Sequence, residues 1–223
     1  MANYILVHGG NVSADTWNDL TERSDFPAGE NLGGRVWDAI AAKLESQGHR
    51  VFAPTLPDEY TYGLSDCILQ IRTLIAKHAL DHVILVGHSY GGMIITGVAN
   101  ALHDRTAALV YVDAALPESG ESLFDLLQQG GWDAADVVGG HPMAYTEKLE
   151  FDVTRLRLLK KYYVFCTESD FVGLHSLVKR RMDADKQGWG DMELPTSHIP
   201  MATMPRELAQ YLLDIASSGV EEV

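Results

Sequence analysis

The sequence predicts an α/β fold in which a mainly parallel sheet is flanked by crossover helices. Short aliphatic runs alternate with stretches of helical periodicity, which is the pattern of consecutive βαβ units. A length of 223 residues suits a single domain. Six strands are predicted, at residues 4–7, 50–53, 83–86, 109–112, 162–166 and, more weakly, 192–194.

Helical periodicity separates these strands. Val36, Ile40 and Leu44 recur at helical spacing, and a second apolar stripe runs through residues 68–75. Further helices are predicted just after residue 89, over 174–182 and from Pro205 to about residue 215. The sequence thus supplies a helix for nearly every crossover.

Two stretches lack this regularity. Residues 11–34 are too many for an ordinary link between a strand and a helix, and residues 114–152 mix one short helical piece with paired glycines. We therefore expect an α/β core made of residues 1–113 and 153–223, with residues 114–152 forming a small cap or lid. Both stretches follow strands, and α/β sheets bind ligands at the carboxyl ends of their strands.

Composition narrows the classes of partner. The formal charge of −14 is spread along the chain and disfavours nucleic acid and anionic membrane surfaces. Cys67 and Cys166 lie among apolar residues, as buried thiols do in a reducing compartment. With neither a secretion signal nor a membrane span in the sequence, a cytoplasmic location is expected. The sequence does not specify an oligomeric state.

The stretch GHSYG, from Gly87 to Gly91, joins an aliphatic strand to an apolar helix. This pattern is typical of a nucleophile elbow, a sharp turn that exposes a serine hydroxyl at its apex. The helix that follows directs its free N–H groups and its positive dipole end at the site. Ser89 is therefore the predicted nucleophile.

An oxyanion hole requires a second backbone donor from another loop. The stretch VHGG ends the first predicted strand, where Gly9 and Gly10 permit close approach of the backbone. We predict that the N–H groups of Gly10 and Tyr90 form the hole. His8 is expected to orient this loop and to take no part in proton transfer.

The base and the acid must follow the serine in the order acid, then histidine. His198 lies in a loop between the last predicted strand and the final helix, which makes it the predicted base. The acid has three candidates at strand ends, which are Asp170, Asp113 and Glu168 in order of preference. Spacing alone does not choose among them.

The motifs VHGG, APTLP, VGHSYGG, YVDAALPESG, YVFCTESD and SHIPM occur in this order. With them the chain resembles the α/β-hydrolase superfamily, and within it the branch of plant methyl esterases and hydroxynitrile lyases with their bacterial relatives. The resemblance implies a triad of Ser89, His198 and Asp170, because the last residue of CTESD aligns with the catalytic aspartate of that branch.

Lyase members of the branch carry a threonine beside the oxyanion loop and a lysine after the catalytic histidine. This chain has Gly9 and Ile199 there, and isoleucine offers no positive charge to a departing cyanide. The leading hypothesis is thus a serine hydrolase of a small carboxylic ester. The alternatives are a hydrolase-like receptor with little turnover and a lyase of the hydroxynitrile type.

This chemistry needs no metal or cofactor, and no metal-binding motif occurs in the sequence. The apolar and aromatic residues of the irregular stretches and of the loop after His198 are candidates for the substrate pocket. They are Trp17, Leu123, Phe124, Trp132 and Met201.

Overall fold

The computed structural model describes residues 1–185 and 188–219. All six predicted strands are present and join one parallel sheet in the order β2-β1-β3-β4-β5-β6. The strands are β1 (Asn3–Val7), β2 (Arg50–Phe52), β3 (Val83–His88), β4 (Thr106–Val112), β5 (Lys160–Cys166) and β6 (Gly190–Leu194). The α/β fold predicted from the alternating patterns is confirmed.

Helices connect the strands and cover the sheet. They are α1 (Ala14–Thr21), α2 (Asp38–Ser46), α3 (Leu64–Lys77), α4 (Gly91–Ala101), α5 (Leu123–Gln129), α6 (Ala134–Val138), α7 (Met143–Thr146), α8 (Val153–Leu156), α9 (Val172–Ala184), α10 (Pro200–Thr203) and α11 (Pro205–Gly219). Within the described ranges, no helix has the length and apolar character needed to cross a bilayer.

Alternating strand residues build two apolar layers, one on each face of the sheet. Ile5 and Val7 face the layer that contains α3, α4 and α9. Tyr4 and Leu6 face the opposite layer, which contains α1, α2 and α11. Because both faces are covered, the inner strands β1, β3 and β4 are mostly apolar runs, and polar side chains of the site lie at the carboxyl edge of the sheet.

The stretch after β1 is more regular than its sequence suggests. Residues 11–34 contain α1, whose first turn is capped by Ser13: the Thr16 N–H donates to its hydroxyl at 3.0 Å. The helix is only 8 residues long. A helix this short offers too few repeats for its periodicity to stand out in sequence.

The stretch from β4 to β5 holds the short helices α5, α6, α7 and α8. An isolated bridge between Glu121 and Leu149 closes the base of the part that contains α5 to α7, with the Leu149 N–H donating to the Glu121 carbonyl at 2.9 Å. On its other side, the Ala144 N–H donates to the Glu59 carbonyl at 3.0 Å, which ties α7 to the loop before α3.

Candidate active site

Ser89 sits at the apex of the turn between β3 and α4. Its φ of 53° is in the left-handed region, which costs a non-glycine residue about 1–3 kcal/mol. Hydrogen bonds hold the turn in this conformation: the Ser89 N–H donates to the Val112 carbonyl at 3.3 Å, and the Ala115 N–H donates to the Ser89 carbonyl at 2.9 Å. The backbone therefore has the strained geometry expected of a nucleophile elbow.

Two glycines of the elbow region permit close packing around the serine. A Cβ on Gly87 would lie 2.6 Å from the Gly91 carbonyl oxygen, so a side chain there would push α4 away from β3. A Cβ on Gly9 would lie 2.5 Å from the Cβ of Ser89. The loop after β1 thus contacts the serine directly, which the predicted oxyanion hole requires.

His198 is oriented by a buried carboxylate. Its Nδ1 lies 2.7 Å from Oδ2 of Asp113, whose side chain is only 1% exposed. A carboxylate only accepts hydrogen bonds, so Nδ1 carries the proton and the Nε2 lone pair of His198 is available to accept one. Asp113 directly follows β4 and has a φ of 43°, and its N–H donates to the Val164 carbonyl at 2.8 Å.

The residue implied by the resemblance to be the acid, Asp170, does not hold this position. Asp170 and Glu168 both point to solvent from the turn after β5, whereas Ser169 between them is buried. The Ser169 hydroxyl oxygen lies 3.5 Å from His198 Nδ1. Side chains alternate in direction along this turn, so the turn directs a hydroxyl at the imidazole and both carboxylates away from it. The carboxylate beside His198 Nδ1 is that of Asp113, which spacing had left as an alternative.

A second imidazole contacts the same carboxylate. His175, in α9, places its Nε2 2.7 Å from Oδ1 of Asp113. Burial alone would raise the pKa of Asp113, but the hydrogen bonds from His175 and His198 outweigh it and hold the pKa well below its ordinary value. Sequence reasoning missed His175; the signal was a histidine in the first turn of a helix that starts at the carboxyl edge of the sheet.

Two more histidines brace the backbone around the site. His8 accepts from the Leu56 N–H at Nε2, so its Nδ1 donates to the Gly9 carbonyl at 2.8 Å. His88 lies 2.7 Å from the His198 carbonyl through Nε2, which must donate to it. Burial lowers the pKa of His8 to about 4 and that of His88 to about 3, so both rings are neutral at pH 7. The expected role of His8 in orienting its loop is confirmed.

Gly10 and Tyr90 border the same cavity as Ser89 and His198. Neither of the two N–H groups donates to another described residue. Tyr90 also stands at the N-terminus of α4, where the helix dipole favours negative charge. These are the properties that an oxyanion hole requires.

The cavity has a volume of about 330 Å³ and an apolar wall over its polar floor. The segment between β4 and β5 contributes Leu123, Leu127, Val137, Val138 and Tyr145 to that wall. Phe171, Leu174 and Ile199 complete it from the opposite side.

Of the five residues predicted to line the pocket, Leu123 does so and the other four are absent from the described lining. Trp17 and Met201 are buried in the core layer on the other face of the sheet. Phe124 is half-buried against the core layer that contains α3, α4 and α9 and contacts His141, and Trp132 packs behind Phe171 at 5.9 Å between ring centroids. Of the three predicted aromatic residues, only Trp132 supports a residue of the wall from behind, and residue type does not reveal which aromatic side chains line a cavity.

Comparison with known proteins agrees with this geometry. Residues 4–211 match the model of the alpha/beta hydrolase family. Among curated proteins, carbendazim hydrolyzing esterase of Nocardioides sp. (strain SG-4G) is 31% identical over 260 residues, covering 95% of this chain and 98% of the relative. Alpha-hydroxynitrile lyase of Arabidopsis thaliana is 32% identical over 102 residues, covering 39% of this chain and 37% of the lyase.

A solved structure extends the likeness of fold to the whole chain. The crystal structure of a pyrethroid hydrolase from Sphingobium faniae JZ-2 superposes with a TM-score of 0.72 at 21% identity, covering 99% of each chain. The predicted fold and the predicted resemblance, with a bacterial esterase and a plant lyase among the relatives, are both confirmed.

Proposed function

Because the chain belongs to the alpha/beta hydrolase family, we propose that it hydrolyses a small carboxylic ester with Ser89 as nucleophile, His198 as base and Asp113 as acid. The observation that carries the proposal is the 2.7 Å bond between Asp113 and His198 at the cavity that Ser89 borders. That bond leaves the other imidazole nitrogen free to accept a proton.

The proposed reaction has two half-reactions. In the first, Ser89 Oγ attacks the ester carbonyl while His198 Nε2 takes the hydroxyl proton, and the N–H groups of Gly10 and Tyr90 stabilise the oxyanion. His198 then gives that proton to the departing alkoxide, which leaves as the alcohol. In the second, water attacks the acyl-enzyme, with His198 again accepting and returning one proton, and the carboxylic acid is released.

Cavity size and lining support a small and largely apolar substrate. About 330 Å³ is at the lower end of ligand pockets, and aliphatic and aromatic side chains form most of the wall. The similarity to a carbendazim hydrolyzing esterase makes carbendazim a natural first substrate, beside short-chain aryl esters. Ile199 borders the cavity beside His198 and offers no charge for a cyanide, which favours hydrolysis over lyase chemistry.

The serine is tested by substitution. Ser89→Ala is expected to lower the kcat of aryl ester hydrolysis by several orders of magnitude, about 10⁶-fold by comparison with a well-studied triad enzyme, because no other group can form the acyl-enzyme. Ser46→Ala, at an exposed position in α2, is the matched control and should retain parental kcat. A Ser89→Ala variant with a tenth of the parental kcat would refute the proposal.

A further inference from the structure

The carboxylate of Asp113 is shared between two imidazoles. His198 Nδ1 lies 2.7 Å from Oδ2 and His175 Nε2 lies 2.7 Å from Oδ1, so each oxygen has one ring as its partner. We infer that His175 is a positioning residue for the proposed reaction: by donating to Oδ1 of Asp113, it fixes the carboxylate in the orientation that holds His198. The inference rests on the proposed triad.

The ring of His175 is the short hydrogen-bond partner of Oδ1, and besides the two imidazoles the described partners of the carboxylate are one backbone N–H and one hydroxyl. The Asp113 side chain is 1% exposed, so bulk water has little access to it. The Cys166 N–H donates to Oδ1 at 3.4 Å, a long hydrogen bond, and the Ser169 hydroxyl is a further hydrogen-bond partner of the carboxylate. A buried carboxylate oxygen without a short hydrogen bond is unfavourable, and the Asp113 side chain would relieve that cost by rotating away from His198 or by taking up a proton.

His175 is held where it can perform this role. Its ring packs edge-on against Phe165 at 5.1 Å between centroids, and its side chain is 15% exposed. Since Oδ1 of Asp113 accepts the hydrogen bond, Nε2 of His175 carries the proton, and a neutral ring suffices for the bond. A neutral donor orients the carboxylate without cancelling its charge, which remains available to stabilise the imidazolium of His198 during attack.

The same contacts show that His175 acts through Asp113. His175 borders the cavity, but its Nε2 proton is directed at the carboxylate. Removing that proton donor should therefore slow the chemical steps and leave substrate binding nearly unchanged. If the ring merely filled space, an apolar residue of similar size would replace it without loss of kcat.

Two substitutions separate donation from packing. His175→Leu removes the donor, and we expect kcat for an aryl ester to fall about 10- to 100-fold with KM within about twofold, the loss usual for outer-shell hydrogen bonds at metal sites. His175→Gln places an amide N–H near the position of Nε2 and should recover most of that loss. His103→Leu, at an exposed histidine, is the control and should match the parent. Equal kcat values for His175→Leu and the parent would overturn the inference, as would a His175→Gln variant no better than His175→Leu.

A double-variant cycle distinguishes failure of the inference from failure of the triad. Once Asp113→Asn has removed the carboxylate, adding His175→Leu should reduce kcat by less than twofold, and a full additive loss would overturn the inference. If Asp113→Asn itself retains parental kcat, the proposed triad fails. If Asp113→Asn is crippled while His175→Leu is parental, only the role of His175 fails.

The tautomer of His175 gives a test that needs no variant. In the parental protein labelled with ¹⁵N-histidine, NMR at pH 7 should show His175 protonated at Nε2 and His198 protonated at Nδ1, both with protons shifted downfield by the carboxylate. A His175 ring that is unprotonated at Nε2 would overturn the inference even if the leucine variant fails to fold.

Discussion

At the scale of single residues, the site depends on backbone strain and buried rings that the sequence indicates only in part. Ser89 was identified because the elbow motif requires a particular turn, and its φ of 53° bears out that turn. Asp113 shares the left-handed conformation, with a φ of 43°, but no sequence pattern indicated that conformation in advance. Its choice over Asp170 depends on which side chains of one turn face inward, and this direction is set by tertiary packing.

The buried neutral histidines predict how stability depends on pH. The folded-state pKa is about 4 for His8 and about 3 for His88, against an ordinary value of 6.5. Below pH 6.5 the unfolded chain therefore binds more protons than the folded chain, so stability is full above pH 6.5 and is lost on acidification. Each ring should contribute up to about 1.4 kcal/mol per pH unit.

Urea denaturation between pH 6.5 and 5 measures how the free energy of unfolding changes with pH, in a range where few carboxylates titrate. We call this change per pH unit the slope. His8→Gln should make the slope shallower by the share of one ring, and His103→Gln, at an exposed position, should leave it unchanged. A parental unfolding free energy that stays constant over this range would contradict the neutral, buried state of the two rings.

At the scale of elements, two adjacent strands end at the same imidazole. β4 delivers Asp113, and the turn after β5 delivers Ser169, whose hydroxyl oxygen lies 3.5 Å from the same Nδ1. The sequence located both strand ends because each strand is a buried apolar run. It did not locate α1, which is short, and of the helices after β4 it indicated only one short piece, because elements of 4–7 residues show too few turns to establish a period.

This convergence predicts that the acid can be moved from one strand to the next. In the Asp113→Asn background, Ser169→Asp should raise kcat at least tenfold above that of Asp113→Asn alone, because the new carboxylate would reach the same imidazole. The carboxylate can also accept from the Phe171 N–H, which donates to the Ser169 hydroxyl in the parent. Glu168→Asp in the same background is the matched control and should restore nothing, since Glu168 faces solvent. Equal kcat for the two double variants would show that the turn after β5 cannot serve the imidazole.

At the scale of the whole molecule, the sheet carries the polar floor of the cavity and the segment between β4 and β5 supplies much of its apolar wall. The sequence predicted an inserted segment at residues 114–152, and we propose that it is the cap that sets substrate size. Its wall residues could not be identified in advance, since Leu123 and Phe124 are neighbours and only Leu123 borders the cavity.

Filling the cavity tests this role. Leu123→Trp should lower kcat/KM for a bulky aryl ester at least tenfold while lowering kcat/KM for the corresponding acetate much less, because the added ring occupies space that the larger acyl group needs. Leu158→Trp, at a side chain that is 86% exposed, should leave both values unchanged. Equal losses for the two esters in Leu123→Trp would argue that this part of the wall does not contact the acyl group.

Peptide-resolved mass spectrometry after reaction with a fluorophosphonate is the sharpest test of whether the Asp113 and His198 pair activates Ser89. We expect a single modified residue, Ser89, labelled rapidly in the parent and in Asp170→Asn but orders of magnitude more slowly in Asp113→Asn. Modification of a different residue, or rapid labelling of Asp113→Asn beside slow labelling of Asp170→Asn, would contradict this activation.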